Sequence, residues 1–260
     1  MAAISYDSVA ILHNFAQRRG IHFPLLSDPQ SSIIRSVGLL NESIPKGNAF
    51  FGIPYPGTFV LDSQGIIKAK YFEEDYKERY TAADILTHQY GVEPSADKHT
   101  VEGKQLTAVT SASNFVVRGG QRVALVIDID LKPRMHVYAP GVTEGYIPID
   151  WKMTQTPLFT AHDTTFPPSK TLHLAAIDET VPVFEGHFRL VRDITIGAEP
   201  KVKPVTDGSN QFTVTGIPRY QACDDRKCYV PQELPLTWTF QLEGHDRERA
   251  PADLQRKTGP

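Results

Sequence analysis

The chain has 260 residues, of which 40% are hydrophobic and 22% are charged, and its formal net charge is −3. This length suits two domains, and the composition supports a buried core and excludes a largely disordered chain. No basic stripe is present, so nucleic acid is not an expected partner. No apolar run reaches the length of a membrane-spanning helix, so no membrane span is expected.

The first third of the sequence alternates strand-like and helical patterns. Apolar residues recur at helical spacing between capping residues, and two short β-rich runs flank a Gly-containing turn. The predicted elements are a strand at 2–6, a helix capped by Asp7 or Ser8 and ended by Gly20, an extended run at 21–26, a helix from Asp28-Pro29 to Gly38, a hairpin of 58–61 and 66–72, and a helix from Thr81 to Gly91. This order is most of a thioredoxin-like fold.

Three segments of this region resemble the peroxiredoxin-type (alkyl hydroperoxide reductase/thiol-specific antioxidant) family. They are Ile4-Ser5-Tyr6-Asp7-Ser8, Phe23-Pro24-Leu25-Leu26-Ser27-Asp28 and Tyr55-Pro56-Gly57-Thr58-Phe59-Val60-Leu61-Asp62. The resemblance implies a thioredoxin-like domain over residues 1–91 that lacks the family's first strand and reactive-cysteine helix. It also matches Pro56 to the proline that is cis in such folds. No cysteine precedes Cys223, so peroxidase activity is not expected. The sheet is expected to be gapped, marginally stable, or completed by a strand from the linker or from another chain.

The secondary-structure pattern of the sequence changes after residue 91. Residues 92–112 are predicted to be a linker that carries one short strand. Residues 113–243 have the pattern of a β-sandwich, in which prolines and glycines separate short strands. The charged tail at 244–260 is predicted to be disordered. The predicted strands are 123–131, 134–138, 148–153, 170–174, 183–196, 210–216 and 234–242.

The two cysteines of the chain, Cys223 and Cys228, lie close together in a charged segment. A structural zinc site needs about four ligands, and no second pair is present, so metal is the weakest interpretation. A disulfide would close a very small loop and would add little stability to a chain of this length. The two cysteines are predicted to lie within disulfide range, with Cα atoms about 4.4–6.8 Å apart. Redox exchange, a structural disulfide and buried free thiols all remain open from local chemistry.

A second resemblance is found at these residues. Tyr220-Gln221-Ala222-Cys223-Asp224-Asp225, followed by Cys228-Tyr229 and Pro231, resembles the cysteine motif of the N-terminal periplasmic domain of DsbD-type thiol–disulfide interchange proteins. Gly119-Gly120 and the run Met135–Gly141 fit as well. The resemblance covers about residues 113–243, and it implies an immunoglobulin-like sandwich that passes reducing equivalents through one cysteine pair.

The fold class predicted from sequence is therefore an incomplete thioredoxin-like α/β domain followed by an immunoglobulin-like β-sandwich. The expected function is thiol–disulfide exchange with a thioredoxin-like donor or acceptor protein, without cofactor or metal. The resemblance implies that Cys228 receives the partner. The predicted site residues are Cys223 and Cys228, supported by Tyr220, Gln221, Tyr138 and Pro56.

Alternatives remain at two points of this prediction. The first is a non-catalytic binding protein in which the cysteine pair is a local brace and the thioredoxin-like half is an inactive remnant. The second concerns His136 and Tyr138, which either line the polar face of a sandwich edge or form a wall near the cysteines. For location, the N-terminus lacks a signal-peptide pattern and predicts the cytoplasm for the chain as written, whereas the DsbD resemblance implies an extracytoplasmic site.

Overall fold

A computed structural model describes residues 1–48, 50–72, 79–92, 98–143, 145–174 and 178–255. The chain divides into two compact units. The first comprises the residues up to Arg79 together with those from Asp246 onward, and the second runs from Tyr80 to His245. Within the described ranges, no helix is both long enough and apolar enough to cross a bilayer.

The described part of the first unit contains four short strands and two helices. They are β1 Ala3–Ser5, α1 Val9–Arg19, β2 Leu25–Ser27, α2 Ser32–Ser36, β3 Gly57–Leu61 and β4 Ile67–Phe72. Helix α1 has the predicted ends, because the Ser8 side chain accepts a hydrogen bond from the backbone N–H of Ile11 and Gly20 adopts the left-handed conformation.

Helix α2 begins later than the sequence predicted. It starts at Ser32 rather than at Pro29. The buried carboxylate of Asp28 still acts as a cap, because it accepts hydrogen bonds from the backbone N–H groups of Ser32, Ile33 and Ile34 at 2.9–3.0 Å. Of the apolar residues Ile33, Ile34 and Val37, Ile34 is buried, whereas Ile33 and Val37 are exposed.

The strands of the first unit form two separate pairs. β1 pairs with β2 in parallel, and β3 pairs with β4 as an antiparallel hairpin. No strand among the described residues joins the two pairs. Apolar side chains such as Ile4, Leu26, Leu61 and Ile67 consequently remain exposed.

From Asp246 onward, the tail also belongs to this unit. We predicted a disordered tail, but Asp246 and Glu248 both accept hydrogen bonds from the guanidinium group of Arg18 at 2.9 Å. These ion pairs connect the described part of the tail to helix α1. Residues 256–260 of the predicted tail lie outside the described residues.

The second unit is dominated by strands. Its elements are α3 Ala82–Tyr90, β5 His99–Glu102, β6 Leu106–Ala112, β7 Val116–Val117, β8 Arg122–Leu131, β9 His136–Tyr138, β10 Asp150–Met153, β11 Phe159–Thr165, β12 Lys170–Leu174, β13 Glu179–Glu185, β14 His187–Ile196, α4 Glu199–Val202, the 3-10 turn Lys203–Val205, β15 Gln211–Tyr220, β16 Ala222–Cys223, β17 Gln232–Glu233 and β18 Leu236–Leu242.

Two sheets of this unit share one apolar core and confirm the predicted sandwich. One sheet has the order β11-β14-β8-β6-β5, and the other has the order β10-β15-β18-β7, with β17 added to β15. Alternate residues of β8 and β18, including Leu125 and Phe240, are completely buried in this core. The rings of Trp151 and Trp238 stack there with centroids 5.5 Å apart.

The segment predicted as a linker contributes to the sandwich. β5 pairs with β6, and β6 pairs with β8 in the first sheet. Leu106 and Ala108 of β6 are each 1% exposed, which explains why this segment cannot be a solvated linker. Helix α3 also belongs to the second unit, so the division falls after Arg79 and not at residue 91. Residues 93–97 of the predicted linker lie outside the described residues.

A third sheet of the second unit has the order β12-β13-β9-β16. It contains His136 and Tyr138 on β9 and Cys223 on β16. The sequence predicted a single strand over 183–196, but Gly186 has a φ of 63° and interrupts the strand there. As a result, β13 joins this third sheet while β14 joins the first.

Candidate functional site

The two cysteines form a disulfide across a small hairpin, which excludes the free-thiol interpretation. Cys223 and Cys228 oppose each other as an antiparallel β-bridge. Backbone hydrogen bonds lie on either side of the bridge, from Asp224 N–H to Lys227 O at 2.9 Å and from Tyr229 N–H to Ala222 O at 2.8 Å. The cysteines therefore occupy a narrow, non-hydrogen-bonded position. Their Cα atoms lie 4.0 Å apart, closer than the range we predicted.

The hairpin loop is held by the carboxylate of Asp224. It accepts hydrogen bonds from the backbone N–H groups of Arg226 at 2.8 Å and Lys227 at 2.9 Å, and from the hydroxyl of Tyr229 at 2.8 Å. These bonds, led by the one from Arg226, lower the pKa of Asp224 to about 2. The remaining charged side chains of the loop, those of Asp225, Arg226 and Lys227, are exposed.

The two sulfur atoms have different surroundings. Cys223 is 1% exposed and packs with Tyr138, Val181 and Val183. Cys228 is exposed at the surface of the hairpin. The Cys228 side of the bond is therefore more exposed than the Cys223 side.

Tyr138 and His136 lie directly beside the disulfide. The Tyr138 hydroxyl oxygen is 3.5 Å from Cys228 Sγ and 3.6 Å from Cys223 Sγ. Because a disulfide carries no S–H proton, the tyrosine hydroxyl is the donor in both contacts. His136 is the cross-strand partner of Cys223, and its ring meets that of Tyr138 edge to face at 5.7 Å.

Both of these aromatic side chains are buried, which contradicts their interpretation as a solvent-facing edge and supports the wall near the cysteines. His136 is 6% exposed and Tyr138 is 2% exposed. Burial lowers the pKa of His136 and, together with the charge of Glu179, raises the pKa of Tyr138. Both side chains are therefore uncharged at neutral pH, and the disulfide is surrounded by neutral groups on this side.

Two further residues behind Tyr138 were not recognised in the sequence. The ring of Tyr146 packs on Tyr138 with centroids 4.6 Å apart, and its hydroxyl donates to Glu179 at 2.6 Å. This hydrogen bond raises the pKa of Tyr146 to about 12. Thr143 donates to the other oxygen of Glu179 at 3.0 Å. Tyr146 and Thr143 lie in a connection without alternation, and this is why no sequence pattern identified them.

The other residues predicted to support the site lie in different parts of the structure. Gln221 donates from its side-chain amide to the carbonyl oxygen of Tyr229 at 3.0 Å, and this bond joins the two ends of the hairpin. Tyr220 is 1% exposed and packs in the main core of the sandwich. Pro56 belongs to the first unit, immediately before β3, and its peptide bond is trans, unlike the cis bond implied by the peroxiredoxin resemblance.

Comparison with known families places this site in a defined class. The family model described as thiol:disulfide interchange protein DsbD, N-terminal, matches residues 103–237. The match includes both cysteines and β9, and it spans more than half of the chain. The chain therefore belongs to the DsbD N-terminal family.

The first unit matches a different family. A model of the AhpC/TSA family matches residues 1–70. The "Putative peroxiredoxin bcp" of Buchnera aphidicola subsp. Schizaphis graminum (strain Sg) is 33% identical over 85 residues, which are 33% of this chain and 52% of that protein. The chain thus spans about half the length of this curated relative.

Two solved structures are also similar to this chain at low identity. The N-terminal periplasmic domain of ScsB from Proteus mirabilis has a TM-score of 0.36 at 14% identity, covering 60% of this chain and 53% of that one. The reduced DsbD N-terminal domain of Neisseria meningitidis has a TM-score of 0.30 at 13% identity, covering 45% of this chain and 82% of that one.

Proposed function

We propose that this chain passes reducing equivalents between itself and a thiol/disulfide partner protein through the Cys223–Cys228 pair. The observation that carries the proposal is the asymmetry of the disulfide, with Cys228 exposed on a charged hairpin and Cys223 buried beneath it. A purely structural disulfide does not require an accessible sulfur atom, whereas a thiol–disulfide exchange reaction does.

The exchange begins with attack by a partner thiolate on Cys228 Sγ. The new bond joins the partner sulfur to Cys228, and the bond to Cys223 breaks, so that Cys223 leaves as a thiolate. A second thiol of the partner then attacks the partner's own sulfur in the mixed disulfide. Cys228 is released, both cysteines of this chain are reduced, and the partner carries the new disulfide. In the reverse direction, the Cys223 thiolate attacks Cys228 Sγ and expels the partner.

Tyr138 supports the departure of Cys223. Its hydroxyl is 3.6 Å from Cys223 Sγ in the oxidised state, and the sulfur gains negative charge as the bond breaks. A hydrogen bond to an ionised group is stronger than one to a neutral group, so this contact stabilises the leaving thiolate more than the disulfide. Val230 is 77% exposed two residues after Cys228 and offers an apolar contact to the docked partner.

Single-cysteine variants test the proposed polarity. Cys223→Ser leaves Cys228 free at the surface, and Cys228→Ser leaves Cys223 free in the interior. With 5,5′-dithiobis(2-nitrobenzoic acid) and with oxidised glutathione as probes, we expect the Cys223→Ser variant to react at least about tenfold faster, since thiol reactivity follows access. Equal rates, or a faster Cys228→Ser variant, would contradict the proposed point of attack.

A second function is favoured by the packing of Cys223 in the apolar cluster with Val181 and Val183. In this alternative, the chain is a binding protein and the disulfide braces the hairpin. Equilibration of the wild-type chain with glutathione buffers separates the two functions. A reduction potential below about −300 mV would identify an inert structural bond, and a higher potential with fast equilibration would support exchange.

A further inference from the structure

Three side chains at the contact between helix α3 and the first sheet form a compact cluster away from the disulfide. Asp84 and His88 lie four residues apart on one face of α3, and Asp193 lies on β14. His88 Nε2 is 2.7 Å from Asp193 Oδ1. One ligand atom from each of the three residues lies within 4.8 Å of the others.

Asp84 is an acidic residue in the first turn of α3. It is 0% exposed, and among the described residues neither of its carboxylate oxygens has a hydrogen-bond partner. The backbone N–H of Ala124 faces it but donates to the hydroxyl of Ser113 at 3.0 Å. Burying a carboxylate without hydrogen-bond partners is costly, and the positively charged groups that act on it here are those of His88 and Arg122.

Burial and the charged groups around Asp84 change the pKa of its carboxyl group. Burial, followed by the neighbouring charge of Asp193, raises the pKa of Asp84 to about 7. His88 and Arg122 oppose this rise. The guanidinium of Arg122 also lies over the ring of Tyr80 at 5.1 Å from its centroid. His88 is held by its hydrogen bond to Asp193, which raises the pKa of the imidazole. Two carboxylates and one imidazole are thus grouped around the buried Asp84, within the electrostatic influence of Arg122.

We propose that Asp84, His88 and Asp193 form a binding site for a divalent transition-metal ion of the Zn²⁺ type. One imidazole nitrogen with two carboxylate oxygens is a donor set that suits such ions, with metal–ligand distances of about 2.0–2.2 Å. The ion takes the place of the proton between His88 and Asp193, whose ligand atoms move apart to accommodate it. Three protein ligands leave a position for water.

The site is reachable from solvent, since the side chains of His88 and Asp193 are 21% and 14% exposed. Asp84 forms the closed inner wall and the other two residues form the entrance. Because α3 supplies two ligands and β14 the third, a bound ion fastens the helix onto the sandwich. This inference is independent of the exchange reaction proposed for the cysteines.

Titration of the oxidised full-length chain with Zn²⁺, followed by calorimetry and by competition with a chelator, tests the site. Keeping the disulfide intact prevents free thiols from binding the metal. We expect one ion per chain, an increase in the melting temperature that EDTA reverses, and at least about tenfold weaker binding in Asp84→Asn and His88→Gln. His173→Gln is the matched control, since His173 pairs with Asp178 in solvent at 3.7 Å.

Co²⁺ provides a second readout on the unmodified chain, because its visible absorption bands report coordination by nitrogen and oxygen ligands. If Asp84→Asn fails to fold, His88→Gln at the half-buried entrance and the Co²⁺ spectrum of the wild type still decide the question. Absence of saturable Zn²⁺ and Co²⁺ binding to the wild type would overturn the proposal. Equal binding by His88→Gln and wild type would also overturn it, because the ion would then be held elsewhere.

Discussion

Replacing Tyr138 with Phe tests the part of the mechanism that depends most directly on geometry. The change removes the hydroxyl that lies 3.5 Å from Cys228 Sγ and 3.6 Å from Cys223 Sγ. It keeps the ring, which packs against His136 at 5.7 Å and against Tyr146 at 4.6 Å. The variant therefore isolates hydrogen bonding to sulfur from packing.

The expected magnitude follows from the charge that develops on Cys223. A hydrogen bond to a charged group contributes about 1.5–3 kcal/mol, and one between neutral groups about 1 kcal/mol. The contact is long, so the difference between the leaving thiolate and the disulfide is about 1 kcal/mol, at the low end of these values. This corresponds to a decrease of roughly fivefold in the rate of disulfide opening.

The assay is stopped-flow reduction of the oxidised chain by dithiothreitol. The expected result is a roughly fivefold lower second-order rate constant for Tyr138→Phe. Tyr146→Phe is the matched control, because its hydroxyl donates to Glu179 and not to sulfur, and its rate is expected to equal that of the wild type. An unchanged rate for Tyr138→Phe in a folded protein would refute the assignment of Tyr138 as the donor to the leaving sulfur.

Three further predictions concern the hairpin, the core and the first unit. The folded-state pKa of Asp224 is about 2, below its ordinary value of 3.8, so the stabilising contribution of this carboxylate is complete above about pH 4 and is lost as the pH falls through about 2. The difference in unfolding free energy between wild type and Asp224→Ala, measured by denaturant unfolding, should therefore shrink as the pH falls over this range. A difference that stays constant with pH would contradict the loop hydrogen bonds. In the core, a Cβ at Gly216 would collide with the indole of Trp151, so Gly216→Ala should cost about 1–3 kcal/mol of unfolding free energy. Gly208→Ala, whose added Cβ meets no atom within 4 Å, is the control, and equal stability of the two variants would show that the core adjusts freely. In the first unit, the isolated β3–β4 hairpin should exchange its amide hydrogens much faster than β8, because a lone two-stranded hairpin is marginally stable. Equal protection of the two elements from hydrogen exchange would show that the sheet of the first unit is completed in some other way.

Several local features of the fold were predictable from the sequence because short-range chemistry determines them. Ser8 and Gly20 fix the two ends of α1, and Thr81 and Gly91 fix those of α3, through side-chain acceptors at the start and left-handed glycines at the end. The alternation of the sandwich strands likewise follows from the period of two along each strand.

The sequence was less informative where assignment depends on what a segment pairs with. The residues predicted as a linker contain β5 and β6, and β6 is buried only because β8 lies beside it. The predicted strand at 183–196 is divided at Gly186, and a single glycine inside an apolar run does not reveal that its two halves enter different sheets. Contacts between segments distant in the chain determine which of these segments form strands and which sheet each strand joins.

The same distinction applies to the functional residues. The sequence by itself determined that Cys223 and Cys228 are the candidate reactive pair, because they are the two cysteines of the chain and lie within a recognisable motif. Only the tertiary structure decided that Cys228 is exposed and Cys223 buried, and that Tyr138, 90 residues from Cys228, places its hydroxyl at both sulfurs. It also decided the meeting of His88 with Asp193 across 105 residues. Burial and proximity of this kind arise from the packing of sheets and helices, which bring together residues that no local pattern relates.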